Sequence, residues 1–343
     1  MLKPFLRQIV NRQHLSRAEA EEAMSLIMEG AATPAQIAAF VVGLRLKGET
    51  VDEVAGCALA MRARASRLDT GNRDVLDTCG TGGDGANTFN ISTAAAFVAA
   101  AGGALVAKHG NRAVSSQCGS ADVMEALGIT LSLDPGGLAH CLERAGIAFL
   151  FAPNHHAAMR HAAGPRREIA VRTVFNILGP LSNPAEARRQ LLGVYAPELV
   201  PLMADVLREL GTQRAWVVHG HDGLDEVSIS GPTRVAELND GVVTTFDVTP
   251  ESAGLTRHPI EAIAGRTAGE NAALLLHIFE GRERGAPRDV VLLNAGAALV
   301  AAGLAGTLAE GARQAAEAVD SGAALERVQR LVTASGERAR KDD

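Results

Sequence analysis

Aromatic residues are scarce: 3% of 343 residues, with Trp216 and Tyr195 each the single example of its type. That excludes the stacking platforms on which single-stranded nucleic acids are read. Cysteine is also scarce, and Cys57, Cys79, Cys118 and Cys141 form no C-x-x-C pair or His/Cys cluster. A disulfide framework or a structural zinc site is therefore excluded. Positive charge is in deficit, 33 Lys and Arg against 39 Asp and Glu for a net −6, which argues against nucleic acid or an anionic membrane as partner. Long apolar runs are missing too. Ile91–Ala107 and Val290–Ala309 come nearest, but Ala and Gly dilute both and Asn294 interrupts the second. They read as buried helix and strand segments. The opening Met1-Leu-Lys-Pro-Phe-Leu-Arg lacks the apolar core of a signal peptide, so the expectation is a cytoplasmic protein.

What is present is a 47% hydrophobic chain with 36 glycines, long enough for one large domain or two unequal ones. Residues 1–70 are punctuated as helices. Ser16-Arg-Ala-Glu19, Thr33-Pro-Ala-Gln36 and Thr50-Val-Asp-Glu53 match the capping box, Pro34 sits at a first helical position, and Gly30 and Gly48 stand at stops. The texture changes at Asp74. Val75–Cys79, Ala104–Lys108, Ile147–Phe151 and Ala215–Val218 read as short strands, and Ser92 onward, Ala121–Leu127 and Pro201–Leu210 as helices. Such alternation predicts an α/β domain over 72–343 with a mainly parallel central sheet, beside a small all-helical domain. Gly179-Pro-Leu-Ser-Asn-Pro184 carries turn chemistry, so part of 165–185 is expected as a hinge or return segment.

The richest segment for chemistry is Gly80-Thr-Gly-Gly-Asp84-Gly-Ala-Asn-Thr88-Phe-Asn90-Ile-Ser92-Thr93. Glycines after a strand let backbone N–H groups converge on an anion, and a helix start adds free N–H groups and a favourable dipole. The spacing is neither that of a Walker loop nor that of a dinucleotide fingerprint. A second segment, Lys108-His-Gly-Asn-Arg112-Ala-Val-Ser-Ser116-Gln-Cys-Gly-Ser120, again follows a strand. Its fixed charges and short hydroxyl donors suit a polyphosphate.

Asp222-Gly-Leu-Asp225-Glu226 offers adjacent loop carboxylates, which suit Mg²⁺ held jointly with substrate phosphates, or an acid and base, or plain exposure. Beside two phosphate loops the metal reading is favoured. His155-His-Ala-Ala-Met-Arg160-His and Gly164-Pro-Arg166-Arg167 gather three histidines and three arginines. Adjacent helical residues point about 100° apart, which is poor metal geometry, while Arg166 or Arg167 could clamp a carboxylate.

Together these segments resemble the anthranilate phosphoribosyltransferase family. The match adds Ser120-Ala-Asp and Arg172-Thr-Val-Phe-Asn-Ile-Leu-Gly-Pro-Leu-Ser-Asn-Pro184, in order and interval, through most of the chain. The resemblance implies a nucleoside phosphorylase-like phosphoribosyltransferase architecture and a homodimer formed through the helical domain. It also implies transfer of phosphoribose from 5-phosphoribosyl 1-diphosphate to anthranilate in tryptophan biosynthesis. Carried onto this sequence, the donor would be held by Gly80, Gly83, Asp84, Thr88, Asn90, Ile91, Ser92 and Thr93, and by Lys108, His109, Gly110, Asn111, Arg112, Ala113, Val114, Ser115, Ser116 and Ser120. Ser92, Asp225 and Glu226 would bind Mg²⁺. Gly80, Asn111 and Arg166 would contact anthranilate, Arg166 being chosen for its six-residue interval to Arg172. The chain departs from the family pattern at Ala157, at Gly164-Pro165 and at Ala170, all flanking the anthranilate side.

Overall fold

Hydroxyl caps start the helices that follow Lys3–Val10 in the first part. In the computed structural model, which describes residues 2–113 and 118–339, Ser16, Thr33 and Thr50 each accept the N–H three residues on. Glu19, Gln36 and Glu53 each close back on the cap N–H, so complete boxes head helices Arg17–Met28, Pro34–Lys47 and Val51–Ala63. Gly30 and Gly48 follow two of these helices with φ of +73° and +90°. The bundle is completed from far along the chain: helix Arg160–Ile169 packs on Arg17–Met28 and Pro34–Lys47, and Phe175–Leu178 on Val51–Ala63.

Ala170, one of the departures noted above, ends helix Arg160–Ile169 in the left-handed region at φ +48°. A Cβ is disfavoured there by about 1–2 kcal/mol. Part of that is offset because alanine restricts the unfolded chain. Ala170→Gly is therefore expected to stabilise the protein by roughly 0.5–1 kcal/mol, read as a higher urea midpoint; an unchanged or lower midpoint would refute the strain argument.

The sheet has seven strands: β1 (Leu76–Asp77), β2 (Val106–Gly110), β3 (Ile147–Phe151), β4 (Arg189–Gly193), β5 (Arg214–Gly220), β6 (Thr233–Asn239) and β7 (Val242–Val248). Their order is β3-β2-β1-β4-β5-β6-β7, with β1 to β5 parallel and β6 and β7 antiparallel. The order reverses between β1 and β4, which opens a crevice at their C-terminal ends, the place where ligands bind in such sheets. β4 and the β6–β7 hairpin were not foreseen. The hairpin carried a signal, Asp240-Gly241, whose φ values of +46° and +87° make the two-residue turn that matches strand twist.

Alternate residues of the sheet feed two cores. Leu191, Trp216 and Val218 face a layer that includes helices Ile91–Ala101, Ala286–Ala301 and Ala323–Ala339. Leu192, Ala215 and Val217 face the other way, into an apolar cluster shared with Ile37, Phe40, Leu44 and the helix Leu199–Glu209. The helical part thus has no core separate from the sheet. Gly179–Pro184 is largely buried and tied to both parts: Arg62 Nε donates to Leu181 O at 2.6 Å, and Asn183 Nδ2 to Ala107 O at 2.8 Å.

Candidate active site

The glycine-rich loop leaves β1 and crosses directly to β4. Thr81 N donates to Gly193 O at 2.9 Å, and Tyr195 N returns to Thr81 Oγ1 at 3.1 Å. Gly82, Gly83 and Gly85 all have positive φ, so side chains there would be strained and the loop keeps its backbone bare. Arg172 braces it, donating to Gly83 O while its guanidinium lies 4.3 Å over the Tyr195 ring. Asp84 folds inward: its carboxylate accepts Ala86 N at 3.1 Å and Asp225 N at 3.3 Å. Thr88 forms an isolated bridge with Ala264, fixing the far end.

Helix Ile91–Ala101 begins beside this loop. Asn90 occupies the cap position without capping, because its side chain is taken by Asn271 Nδ2 at 3.1 Å and Cys118 O at 3.3 Å. Ile91 is buried in the core and offers only backbone. Ser92 N donates to Glu226 Oε1 at 3.1 Å, and the Thr93 hydroxyl is buried without a partner among the described residues. Gly80 lies so close to the carboxylate loop that a Cβ would stand 3.1 Å from Asp225 Oδ2.

Three carboxylates meet at this point. Asp225 Oδ2 accepts Gly82 N at 2.7 Å, and its carboxyl is hydrogen-bonded to that of Asp84. Burial and the charges of Asp84 and Glu226 raise the Asp225 pKa well above the carboxylate range. Burial likewise pushes Glu226 up to about 7, with Lys108 and the Ser92 N–H working against it. Crowded, half-buried carboxylate oxygens are the donor set of a hard divalent cation, which would remove their repulsion. Among the described residues no group of three or more His, Cys, Asp or Glu side chains is placed to hold a metal ion by itself. Such a cation would therefore complete its shell with oxygens of a bound phosphate ligand or water.

The second loop, far from being solvated, starts in the core. Lys108 is 1% exposed, with Nζ donating to Thr78 O at 2.9 Å and Thr78 Oγ1 at 3.2 Å. His109 Nδ1 donates to Gly179 O at 3.2 Å, and burial lowers its pKa to about 3, so the ring is neutral. Gly110 leaves room for Phe149, whose ring would lie 2.7 Å from a Cβ. Asn111 O accepts Ala121 N at 3.1 Å and Ser120 Oγ at 3.3 Å. Asp122 Oδ2 takes Ala113 N at 3.2 Å, while the Arg112 guanidinium is turned to Glu125 and Asp122. Val114, Ser115 and Ser116 lie outside the described residues.

Arg166 is half-buried, with its guanidinium 5.1 Å over the Phe175 ring. Burial lowers its pKa, and no carboxylate pairs with it among the described residues. Arg167 is exposed. Sequence reasoning passed over Asp77 and Asn183. Asp77 is fully buried at the end of β1, accepting His109 N at 3.1 Å and Asn183 Nδ2 at 2.7 Å, and burial raises it to about 6. A lone charged residue ending an apolar strand was the available signal.

Comparison with known proteins gives consistent relatives. The family model described as "Glycosyl transferase family, helical bundle domain" matches residues 3–65, and "Glycosyl transferase family, a/b domain" matches 72–325. The anthranilate phosphoribosyltransferase of Moorella thermoacetica is 57% identical over 332 residues, 97% of this chain and 98% of the relative. That of Brevibacillus brevis is 54% identical, covering 96% and 97%. Among solved structures, anthranilate phosphoribosyltransferase from Thermus thermophilus superposes with TM-score 0.92 at 45% identity, over 96% of this chain and 98% of that one. The Saccharomyces cerevisiae enzyme in complex with PRPP (5-phosphoribosyl 1-diphosphate) and Mg gives TM-score 0.89 at 28% identity, covering 98% of each chain.

Proposed function

The chain belongs to the anthranilate phosphoribosyltransferases of the glycosyl transferase family, and from that premise we infer its reaction. It transfers the phosphoribosyl group of 5-phosphoribosyl 1-diphosphate to the amine of anthranilate, releasing diphosphate, with Mg²⁺ as cofactor in tryptophan biosynthesis. The observation that carries this assignment to particular residues is the meeting of two anion-adapted loops and a half-buried carboxylate cluster in the β1–β4 crevice. In this reading Gly80, Gly83, Asp84, Thr88, residues 90–93, residues 108–116 and Ser120 hold the donor, Ser92, Asp225 and Glu226 hold Mg²⁺, and Gly80, Asn111 and Arg166 hold anthranilate.

The chemistry asks little more of the protein than position and charge. The aromatic amine is neutral at pH 7 and already nucleophilic, so no covalent intermediate is needed. Bound Mg²⁺ stabilises the charge of the departing diphosphate. Backbone N–H groups of the bare glycine loop and the buried Lys108 are fixed before reaction, so they stabilise developing negative charge without reorganising. Arg166, lacking a carboxylate of its own, pairs with that of anthranilate and aims the amine at C1. Arg166→Ala is expected to raise KM for anthranilate at least tenfold and leave KM for the donor within about twofold. A donor KM that rises equally would remove Arg166 from the acceptor site.

The same reading takes 1–70 and 72–343 as the two domains, with part of 165–185 returning to the helical one. It also includes a cytoplasmic homodimer. Val10 and Leu46, 80% and 81% exposed on the packed helices Lys3–Val10 and Pro34–Lys47, support dimerisation through the helical part. No helix among the described residues is long and apolar enough to cross a membrane.

The test of the reaction is the loss of anthranilate fluorescence on mixing with donor and Mg²⁺, repeated with EDTA. Loss that requires both supports the assignment. No loss, with the donor still bound in calorimetry, would point to another amine acceptor.

A further inference from the structure

Asn294 is the one polar side chain in the run Val290–Ala302, and it is fully buried in the middle of helix Ala286–Ala301. Its amide is not wasted on its own helix alone. Oδ1 accepts Val227 N at 2.8 Å, and Nδ2 donates to Val227 O at 2.9 Å and to Val290 O at 3.0 Å. The reciprocal pair to Val227 is the pattern one strand residue makes with another, here delivered by a side chain to a loop residue. Val227 directly follows Asp225 and Glu226.

We propose that Asn294 is a positioning residue for magnesium: by clamping the Val227 peptide groups it fixes where Asp225 and Glu226 stand. The inference rests on the magnesium reading above. Without the clamp, both Val227 groups would be buried unpaired, and the loop could relieve that only by shifting, carrying the carboxylates with it. A second anchor grips the same loop from the solvent side, where Asp222 Oδ2 accepts the Ser228 hydroxyl at 2.5 Å and also that of Ser230. The two anchors bracket the carboxylates in sequence, so losing either should act on the same quantity. Partners that orient ligating groups typically change metal affinity by about 10–100-fold.

The experiment compares wild type, Asn294→Ala, Asn294→Asp and Asp222→Ala in two readouts: half-saturating Mg²⁺ in turnover, and Mg²⁺ binding by calorimetry with diphosphate present. Asn294→Asp keeps the volume and an acceptor for Val227 N. Asp222 is exposed, so Asp222→Ala is tolerated by the fold even if the helix variants are not. The expected result is at least a tenfold weaker Mg²⁺ response in both readouts, with KM for anthranilate unchanged. Mg²⁺ binding equal to wild type, with only a lower melting temperature, would make Asn294 a purely structural residue and overturn the proposal. If Asn294 variants do not fold, wild-type-like Mg²⁺ binding by Asp222→Ala overturns the idea of loop anchoring. Failure of the magnesium reading itself looks different, since wild-type turnover would then be indifferent to EDTA.

Discussion

Asp225→Asn is expected to lower kcat by on the order of a hundredfold, about 2.7 kcal/mol of transition-state stabilisation, and to raise the Mg²⁺ requirement. The amide oxygen can still accept Gly82 N, so the loop keeps its bond while the charge is lost. Burial and two neighbouring carboxyls hold the Asp225 pKa well above its ordinary value, so the ionised form costs stability at neutral pH. Without metal, then, the variant should melt no lower than wild type. Lost activity without lost stability would separate a functional carboxylate from a structural one. Unchanged magnesium dependence would remove Asp225 from the metal site.

Glu226 gives the pH dependence of the same event. Its pKa is raised to about 7 in the folded protein from an ordinary 4.5, so the folded state holds this proton more tightly than the unfolded chain. The corresponding stability is present at low pH and lost as pH rises from about 4.5 through about 7. Magnesium must displace the proton, so its apparent affinity should climb over that upper range, about tenfold between pH 6 and 8. A flat profile would mean that Glu226 is already ionised, or not a ligand.

Much of this site was legible because anion binding uses backbone, and backbone conformation is written in glycine. Gly82, Gly83 and Gly85 announce a loop with left-handed turns. The capping boxes were legible for a similar reason, since each needs only two residues at a fixed interval. What was not legible depends on partners distant in sequence. Lys108 reads as a fixed charge for a polyphosphate, and only the pairing of β1 with β2 shows its Nζ buried against Thr78. Asn294 reads as a flaw in an apolar run until Val227 is placed opposite it. β1 was overextended in the reading because residues 78 and 79 are strand-like in type yet already belong to the loop that crosses to β4.

The second large effect concerns stability and lies in the helical part. Glu53 is fully buried and serves four donors: Leu15 N at 2.9 Å on Oε1, and on Oε2 Thr50 N at 3.0 Å, Thr50 Oγ1 at 3.0 Å and Lys47 Nζ at 2.8 Å. One carboxylate thus closes a capping box, pairs a lysine whose side chain is 3% exposed and ties down the loop before helix Arg17–Met28. Glu53→Ala leaves that lysine without its carboxylate and two backbone N–H groups without acceptors, which should cost about 3–5 kcal/mol. Glu53→Leu combined with Lys47→Met removes both charges and should recover roughly half of the loss, because an unpaired buried charge costs more than an absent pair. Urea unfolding of the set measures this, with turnover per folded molecule expected to stay near wild type. The shape of the transition carries further information. Phe40 and Leu44 share a core with Leu192 and Val217 of the sheet, so destabilising the helices should lower one common midpoint. A separate early transition would show instead that the helical part can melt away from the sheet that carries the loops.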